Sequence, residues 1–480
     1  MHNAPRLTGS IGRFQLFALG FGSIIGSAWV VILNRWLFEA GPFGAVLGFL
    51  AGGIAVVAIG SCYAELTARV PRTGGDFTFA LAAFGPKLAF FVGWFVALGW
   101  ISVTVFEGLA VAWVIELLFP GLPDVVLYTV LDTAVTRNQL AIGTAGAAMI
   151  AWVNYRGGTS SARFQGVLTY GFLLIALALI LSMMVFGETA LLLPAFPSMP
   201  SGAPWWQGSL AIFASCAFLL NGFQSIAQAV EERASGVSLR TVARVMIVSI
   251  AAAALFYCLA VTAASMMEPW SELATADLAM VQAVRGLPMG DTLVRILLLV
   301  LLASLLKTWN GIFFVGTRIL FGLASRGFLS PALTQLHPRF GSPYRIILFI
   351  AAINITGLLL GRGAVGLLVD TSATAGVMSF VLCCAAVFAL RRKQTAVPEY
   401  VVPGGYLVIG FALLAAVAMA ASALITPLLR SGFPVEYLIL GSWAVIGTVT
   451  LVLRRNLYQR TEASAAPAPA TGAAAPLSGA

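Results

Sequence analysis

Charge is scarce in this sequence. Lys, Arg, Asp and Glu together supply 9% of the 480 residues, where an average soluble domain carries about 25%. So few ionic side chains cannot clothe a water-facing surface, and 60% of the residues are hydrophobic. A soluble globular protein is excluded. Histidine is rarer still: His2 and His337 cannot make a metal site by themselves. The five cysteines (Cys62, Cys216, Cys258, Cys383 and Cys384) all fall in apolar runs, so no disulfide framework is implied. No nucleophile–base pair or metal cluster marks an interface, as a membrane enzyme would need. No repeated pore lining or filter motif marks a channel. No cofactor is implied. The net charge of +9 is no nucleic-acid signature in so apolar a chain; it fits cytoplasmic loops facing anionic lipid.

What the sequence has in abundance is long hydrophobic runs, many exceeding the roughly 20 residues that span hydrocarbon. They predict an all-α polytopic membrane protein with twelve transmembrane helices, at 11–35, 43–68, 86–118, 137–155, 163–187, 206–230, 240–267, 291–325, 343–361, 363–390, 404–426 and 433–453. The third and eighth are long enough to tilt strongly. The first run has no small-residue cleavage site and leads straight into further spans, so it reads as retained. Basic residues gather on alternate loops: Arg69, Arg72 and Lys87; Arg156 and Arg163; Arg233, Arg240 and Arg244; Arg318 to Arg345; Arg391 to Lys393; Arg454 to Arg460. The intervening loops hold only Arg35, Arg137, Arg285, Arg295, Arg362 and Arg430. This asymmetry predicts a cell inner-membrane protein with both termini cytoplasmic. The acidic outer loop after the seventh span (Glu268, Glu272, Asp277, Asp291) is expected to form a short helix. Beyond Gln459 an Ala/Pro/Ser/Gly tail cannot bury a core and reads as disordered over 460–480.

Within the first span, Gly20-Phe-Gly-Ser-Ile-Ile-Gly-Ser-Ala-Trp29 breaks the pattern at the depth of the bilayer centre. Glycine costs about 1 kcal/mol per helix-interior position, and backbone freed in lipid must find a partner. A discontinuous helix is expected, its second half beginning near Gly26 with N–H groups aimed at an anionic group of a solute. Close packing against a neighbouring helix is the plainer explanation. The sixth span repeats the interruption at Asn221-Gly222. Breaks in spans one and six are corresponding positions of two five-helix halves, and an odd number of spans per half inverts one half against the other. The chain therefore divides into a cytoplasmic segment 1–10, a first repeat 11–187, an inverted second repeat 206–390, and two additional helices over 404–453.

The chain resembles the amino acid–polyamine–organocation superfamily, the bacterial amino acid permeases. The resemblance rests on Gly22-Ser-Ile-Ile-Gly-Ser-Ala28, Tyr63-Ala-Glu-Leu-Thr-Ala-Arg-Val-Pro-Arg-Thr-Gly-Gly-Asp76, Asn221-Gly-Phe-Gln with Glu231-Glu232, Arg318-Ile-Leu-Phe-Gly-Leu-Ala-Ser-Arg-Gly327 and His337-Pro-Arg-Phe-Gly-Ser-Pro-Tyr344. It implies a ten-helix, LeuT-like 5+5 inverted-repeat core with broken helices 1 and 6, plus two helices. It also implies a substrate site that includes Gly22, Ser23 and Gly222, with the substrate carboxylate on Gly26-Ser27-Ala28, where Ala28 replaces the family's usual glycine. The amine is expected against carbonyls near Ile24, Phe218 and Asn221, with Phe218 and Trp309 as aromatic cover.

Two charges lie deep in spans: Glu107 in the third and Lys307 in the eighth. Each costs at least about 2.5–3.5 kcal/mol there and so faces the protein interior. They are either a structural pair or a coupling device in which Lys307 serves as a fixed cation and exchanges protons. Glu231 and Glu232 read as gate contacts to neighbouring arginines. The whole predicts a secondary active transporter of an amino acid or related amine, working with protons. An exchanger and a non-transporting nutrient sensor remain as alternatives. The sequence leaves the oligomeric state open.

Overall fold

The computed structural model describes residues 7, 9–197, 204, 206–394, 396–429 and 433–454. The tail over 460–480 and most of the segment 1–10 lie outside the described residues. Helices dominate because apolar side chains alone do not satisfy the backbone in lipid; each helix closes its own hydrogen bonds.

In chain order the elements are α1 (Arg13–Ile24), α2 (Ala28–Val31), α3 (Leu33–Arg69), α4 (Asp76–Phe84), α5 (Pro86–Leu118), strands β1 (Val126–Val130) and β2 (Thr133–Thr136), α6 (Arg137–Tyr155) and α7 (Gly158–Phe186). There follow α8 (Trp206–Leu219), α9 (Gln224–Gln228), α10 (Leu239–Ser265), α11 (Trp270–Leu273), α12 (Ala279–Arg285), α13 (Gly290–Ser325), α14 (Tyr344–Gly357), α15 (Val365–Lys393), α16 (Gly405–Ile425) and α17 (Val435–Leu453). Among the described residues ten helices are long and apolar enough to cross a membrane, with α1–α2 and α8–α9 each counting as one. Helices also stand where the fourth and ninth spans were expected. Of these, Arg137–Tyr155 does not reach the same apolarity and Tyr344–Leu360 is shorter.

Both expected breaks are present as breaks in the backbone. The α1 helix stops at Ile24, and a new turn starts only at Ala28. The α8 helix stops at Leu219, and α9 resumes at Gln224 after a turn in which Gly222 adopts φ +128°. Other features differ from the sequence reading. Helix continues beyond the expected end of the first span at 35, from Leu33 to a kink at Gly41 (φ +66°, ψ 178°), and the helix of the second span follows from Pro42, where it was expected. Proline fixes its own φ and disfavours helix at the preceding residue, so the division between the two helices falls at Gly41-Pro42. The loop after span two folds as α4, and the loop after span three carries an antiparallel hairpin, β1–β2. Leu131 and Asp132 take positive φ (47° and 57°) at its turn, the geometry that closes a two-residue hairpin. The acidic loop after span seven forms two short helices, α11 and α12.

The core gathers around α3, α5, α10 and α13, with α1 and α8–α9 threaded between them. Small residues permit this closeness. A β-carbon on Gly48 or Gly52 of α3 would stand 2.6 Å from Ile212 or 2.4 Å from Cys216 of α8, so glycine sets the helix separation. The outermost helix, α17, is mostly exposed, and Trp94 holds it by stacking on Trp443 at 4.4 Å with reciprocal indole-to-carbonyl bonds of 2.9 Å.

Candidate functional site

The two breaks touch. A β-carbon on Gly222 would lie 2.5 Å from the Ser23 carbonyl oxygen and 2.8 Å from the Ile24 nitrogen. Gly222 donates its N–H to Gln224 Oε1 at 3.0 Å, and Gln224 Nε2 donates to Asn221 Oδ1 at 2.6 Å. This local side-chain bonding supplies what the interrupted helix has lost. Beside the junction lies a cavity of about 220 Å³ lined by Ser23, Ile24, Gly26, Ser27, Ala28, Phe218 and Asn221 from the breaks. Trp100, Phe106 and Glu107 of α5, Tyr257 of α10, Thr308 and Ile312 of α13, and Ser372 of α15 complete it.

Among the described residues the N–H groups of Gly26, Ser27 and Ala28 donate to no acceptor, and the Ile24 carbonyl accepts from no donor. One small cavity thus presents free donors and a free acceptor together. That arrangement can hold an anionic and a cationic group of one solute.

The carbonyls on the other side of the break have partners already. Lys307 Nζ donates to the carbonyls of Gly22, at 3.3 Å, and of Ile25, and sits 4.4 Å over the Phe172 ring. The Thr308 hydroxyl reaches Ile25 O at 3.1 Å, and the Ser304 hydroxyl donates to Gly26 O at 2.9 Å. A half-helix C-terminus carries partial negative charge, and here one turn of α13 brings an ammonium and two hydroxyls to it. The spacing Ser304–Lys307–Thr308 puts all three on one helix face; polar residues at i, i+3 and i+4 in an apolar run were a signal the sequence reading did not use for Ser304 and Thr308.

Behind this cap runs a buried amide network. Asn310 Oδ1 accepts from Asn154 Nδ2 and the Ser161 hydroxyl, each at 3.0 Å, and Asn310 Nδ2 donates to Gln165 Oε1 at 2.8 Å. Gln165 Nε2 in turn donates to the Ala18 carbonyl at 3.3 Å. The network ties α6, α7 and α13 to the first half of the broken helix.

Not every expected residue meets the cavity. Trp309 is buried against Gly108 and Gly146, where added β-carbons would stand 3.2 and 2.7 Å from its ring, and it does not line the cavity. Its neighbours on the helix, Lys307 and Thr308, face the break, so Trp309 must point elsewhere. Gly22 offers its carbonyl to Lys307, while a β-carbon there would meet Gln165 and Thr169 at 2.4 Å, away from the cavity. Glu107 and Lys307 form no direct ion pair among the described residues; the ammonium is held by α1 carbonyls, and the two charges attract only at longer range. The aromatic side chains that line the cavity are Trp100, Phe106, Phe218 and Tyr257, of which the first two carried no polar mark in the sequence.

The surroundings are asymmetric. Toward the end of α1 where the chain begins, cavities shrink to about 10 Å³ beside Asn221 and Gln224 and about 30 Å³ beside Arg72 and Glu231. Toward the other end the main cavity adjoins spaces of about 320 and 210 Å³, lined by Arg35 and Glu39 and by Trp113 and Arg362 respectively. Ion pairs and buried hydrogen bonds gather at the narrow end. Glu232 takes Arg318 in a two-pronged bond of 2.9 and 3.2 Å, both side chains buried, and Gly158 leaves the space the carboxylate occupies. Glu231 meets Arg72 at 3.5 Å. Tyr63 donates to Asp76 Oδ1 at 2.5 Å and lies 3.2 Å from Ser379 Oγ, joining α3, α4 and α15. Burial pushes the Asp76 carboxyl above the usual carboxylate range, opposed by the Tyr63 hydrogen bond.

Comparison with known proteins gives this geometry its context. The family described as Amino acid permease matches residues 11–449. The branched-chain amino acid permease BcaP of Bacillus subtilis (strain 168) is 25% identical over 421 residues, covering 84% of this chain and 86% of its own. The amino-acid permease RocE of the same organism is 25% identical over 362 residues, 73% of each chain. An aspartate-proton symporter, also from Bacillus subtilis (strain 168), is 34% identical over 113 residues, 24% of this chain and 22% of its own.

Proposed function

The chain belongs to the amino acid permease family, and we propose that it is a proton-coupled secondary transporter of an amino acid or related amine. The observation that carries this reading is the cavity at the contact of the two broken helices, with free N–H groups on one side and a free carbonyl on the other. Substrate carboxylate sits on the N–H groups of Gly26, Ser27 and Ala28, and its amine against the Ile24 carbonyl and the α8 break at Phe218 and Asn221. Gly222 sets the meeting of the breaks. The relatives' names speak of amino acids as cargo and, for one stretch, of proton symport.

The architecture we infer has twelve spans in an inner membrane, both termini cytoplasmic, with an inverted five-helix repeat and two further helices. The locks at Glu231, Glu232 and Asp76 then close the cytoplasmic side, and the structure is the outward-facing state. In alternating access the locks open as the outer spaces collapse. Lys307 provides coupling: its ammonium holds the Gly22 and Ile25 carbonyls, and losing a proton releases that half of the break. Proton loss and rearrangement of the site thereby become one event.

Uptake into proteoliposomes tests this. A pH gradient, acid outside, drives accumulation, and replacing sodium by choline changes nothing. Flux only when substrate is present on both sides makes the protein an exchanger. Binding without flux makes it a sensor.

A further inference from the structure

We propose that Glu107 is a specificity-determining residue that selects substrates with a second positive charge, so that the cargo is a basic amino acid. The inference rests on the transport reading above and goes further by naming the substrate class. Glu107 lies in the middle of α5, is 2% exposed, and lines the cavity. Its Oε2 has no hydrogen-bond partner, and no ion pair or hydrogen bond to it is found among the described residues. It is the one charged side chain among those that line the cavity.

A carboxylate in such a place is costly unless something compensates it. No described side chain bonds to it: the cavity's hydroxyls on Ser23, Ser27, Tyr257, Thr308 and Ser372 make no hydrogen bond to Glu107, and Trp100, Val103, Phe106 and Ile312 in the same lining are apolar or aromatic. Lys307, the nearby cation, is bound to the Gly22 and Ile25 carbonyls and to the face of Phe172. The compensating charge therefore comes with the ligand. The α-amine and α-carboxylate of an amino acid have partners at the break itself, formed by α1 and α8. Glu107 stands on a different helix, α5, and the adjoining aromatic and aliphatic side chains suit an alkyl stem. A guanidinium or ammonium at the end of such a stem meets the carboxylate by a charge-assisted bond.

Arginine and citrulline have similar shapes but differ in that terminal charge. Their affinities are measured on the purified full-length protein, with lysine and norleucine as a second pair. Arginine is expected to bind at least about tenfold more tightly than citrulline, the scale of a hydrogen bond to a charged group. In Glu107→Gln this ratio falls by about tenfold or more. Glu107→Asp keeps the preference for arginine with weaker binding, and covers the case in which the glutamine variant does not fold. Citrulline or norleucine binding as tightly as its charged counterpart to the wild-type protein overturns the inference and leaves the transport reading in place. The same holds if Glu107→Gln keeps the full arginine preference. Failure of every amino acid and amine to bind strikes the transport reading itself.

Discussion

Gly222, in the turn between α8 and α9, and Ser23 of α1 meet backbone to backbone: a β-carbon on Gly222 would lie 2.5 Å from the Ser23 carbonyl oxygen. The close approach requires glycine twice over, once for space and once for the φ of +128° that side chains rarely adopt. Gly26, in the break between α1 and α2, is different. A β-carbon there meets only Thr308, at an ordinary 3.7 Å.

The two glycines should therefore respond differently to alanine. Gly222→Ala pays about 1–3 kcal/mol for its backbone conformation, and the clash also moves the Ser23 carbonyl. It should lower the melting temperature and abolish substrate binding. Gly26→Ala should fold normally. Equal thermal stability of the two variants in detergent would mean that the breaks do not depend on this contact.

Lys307 should be indispensable for coupling. Lys307→Ala leaves the Gly22 and Ile25 carbonyls without their cation and should lose pH-driven accumulation. Lys307→Arg retains charge but does not deprotonate, so it should lose accumulation as well. Full pH-driven uptake by either variant in proteoliposomes removes the proposed mechanism.

The buried Glu232–Arg318 pair makes a separate prediction. Removing one partner of such a pair costs about 3–5 kcal/mol, because the other charge stays buried and alone. Arg318→Met should be strongly destabilised, and Glu232→Gln combined with Arg318→Met should recover part of the loss. A double-mutant cycle by thermal unfolding measures the coupling; strictly additive effects would show that the pair is not a lock.

Asp76 gives a pH test with a definite sign. Its carboxyl titrates above the usual carboxylate range in the folded protein because it is buried. Only between its ordinary and its raised value does the folded state hold a proton that the unfolded state has released. Its contribution to stability falls as pH rises from about 4, the ordinary value, through its raised value. Asp76→Asn keeps an acceptor for Tyr63 and removes this dependence. The difference in melting temperature between wild type and variant should shift in favour of the variant as pH rises across that window. A difference that does not change with pH would refute the reading.

The sequence by itself determined the class of this protein, the ten runs that form helices long and apolar enough to cross a membrane among the described residues, and the position of both helix breaks. Those properties are local. Hydropathy is summed over twenty consecutive residues, and glycines clustered in an apolar run weaken a helix wherever it is placed. The tertiary structure decided which side chains look inward. Trp309, Lys307 and Thr308 are neighbours on α13, yet the first packs on Gly108 and Gly146 while the others cap α1. Glu107 and Lys307 both read as buried charges in the sequence, but only Glu107 lines the cavity. A helix presents a different residue every 100° or so, and the rotation that selects among them is set by packing against distant helices, which no local pattern records.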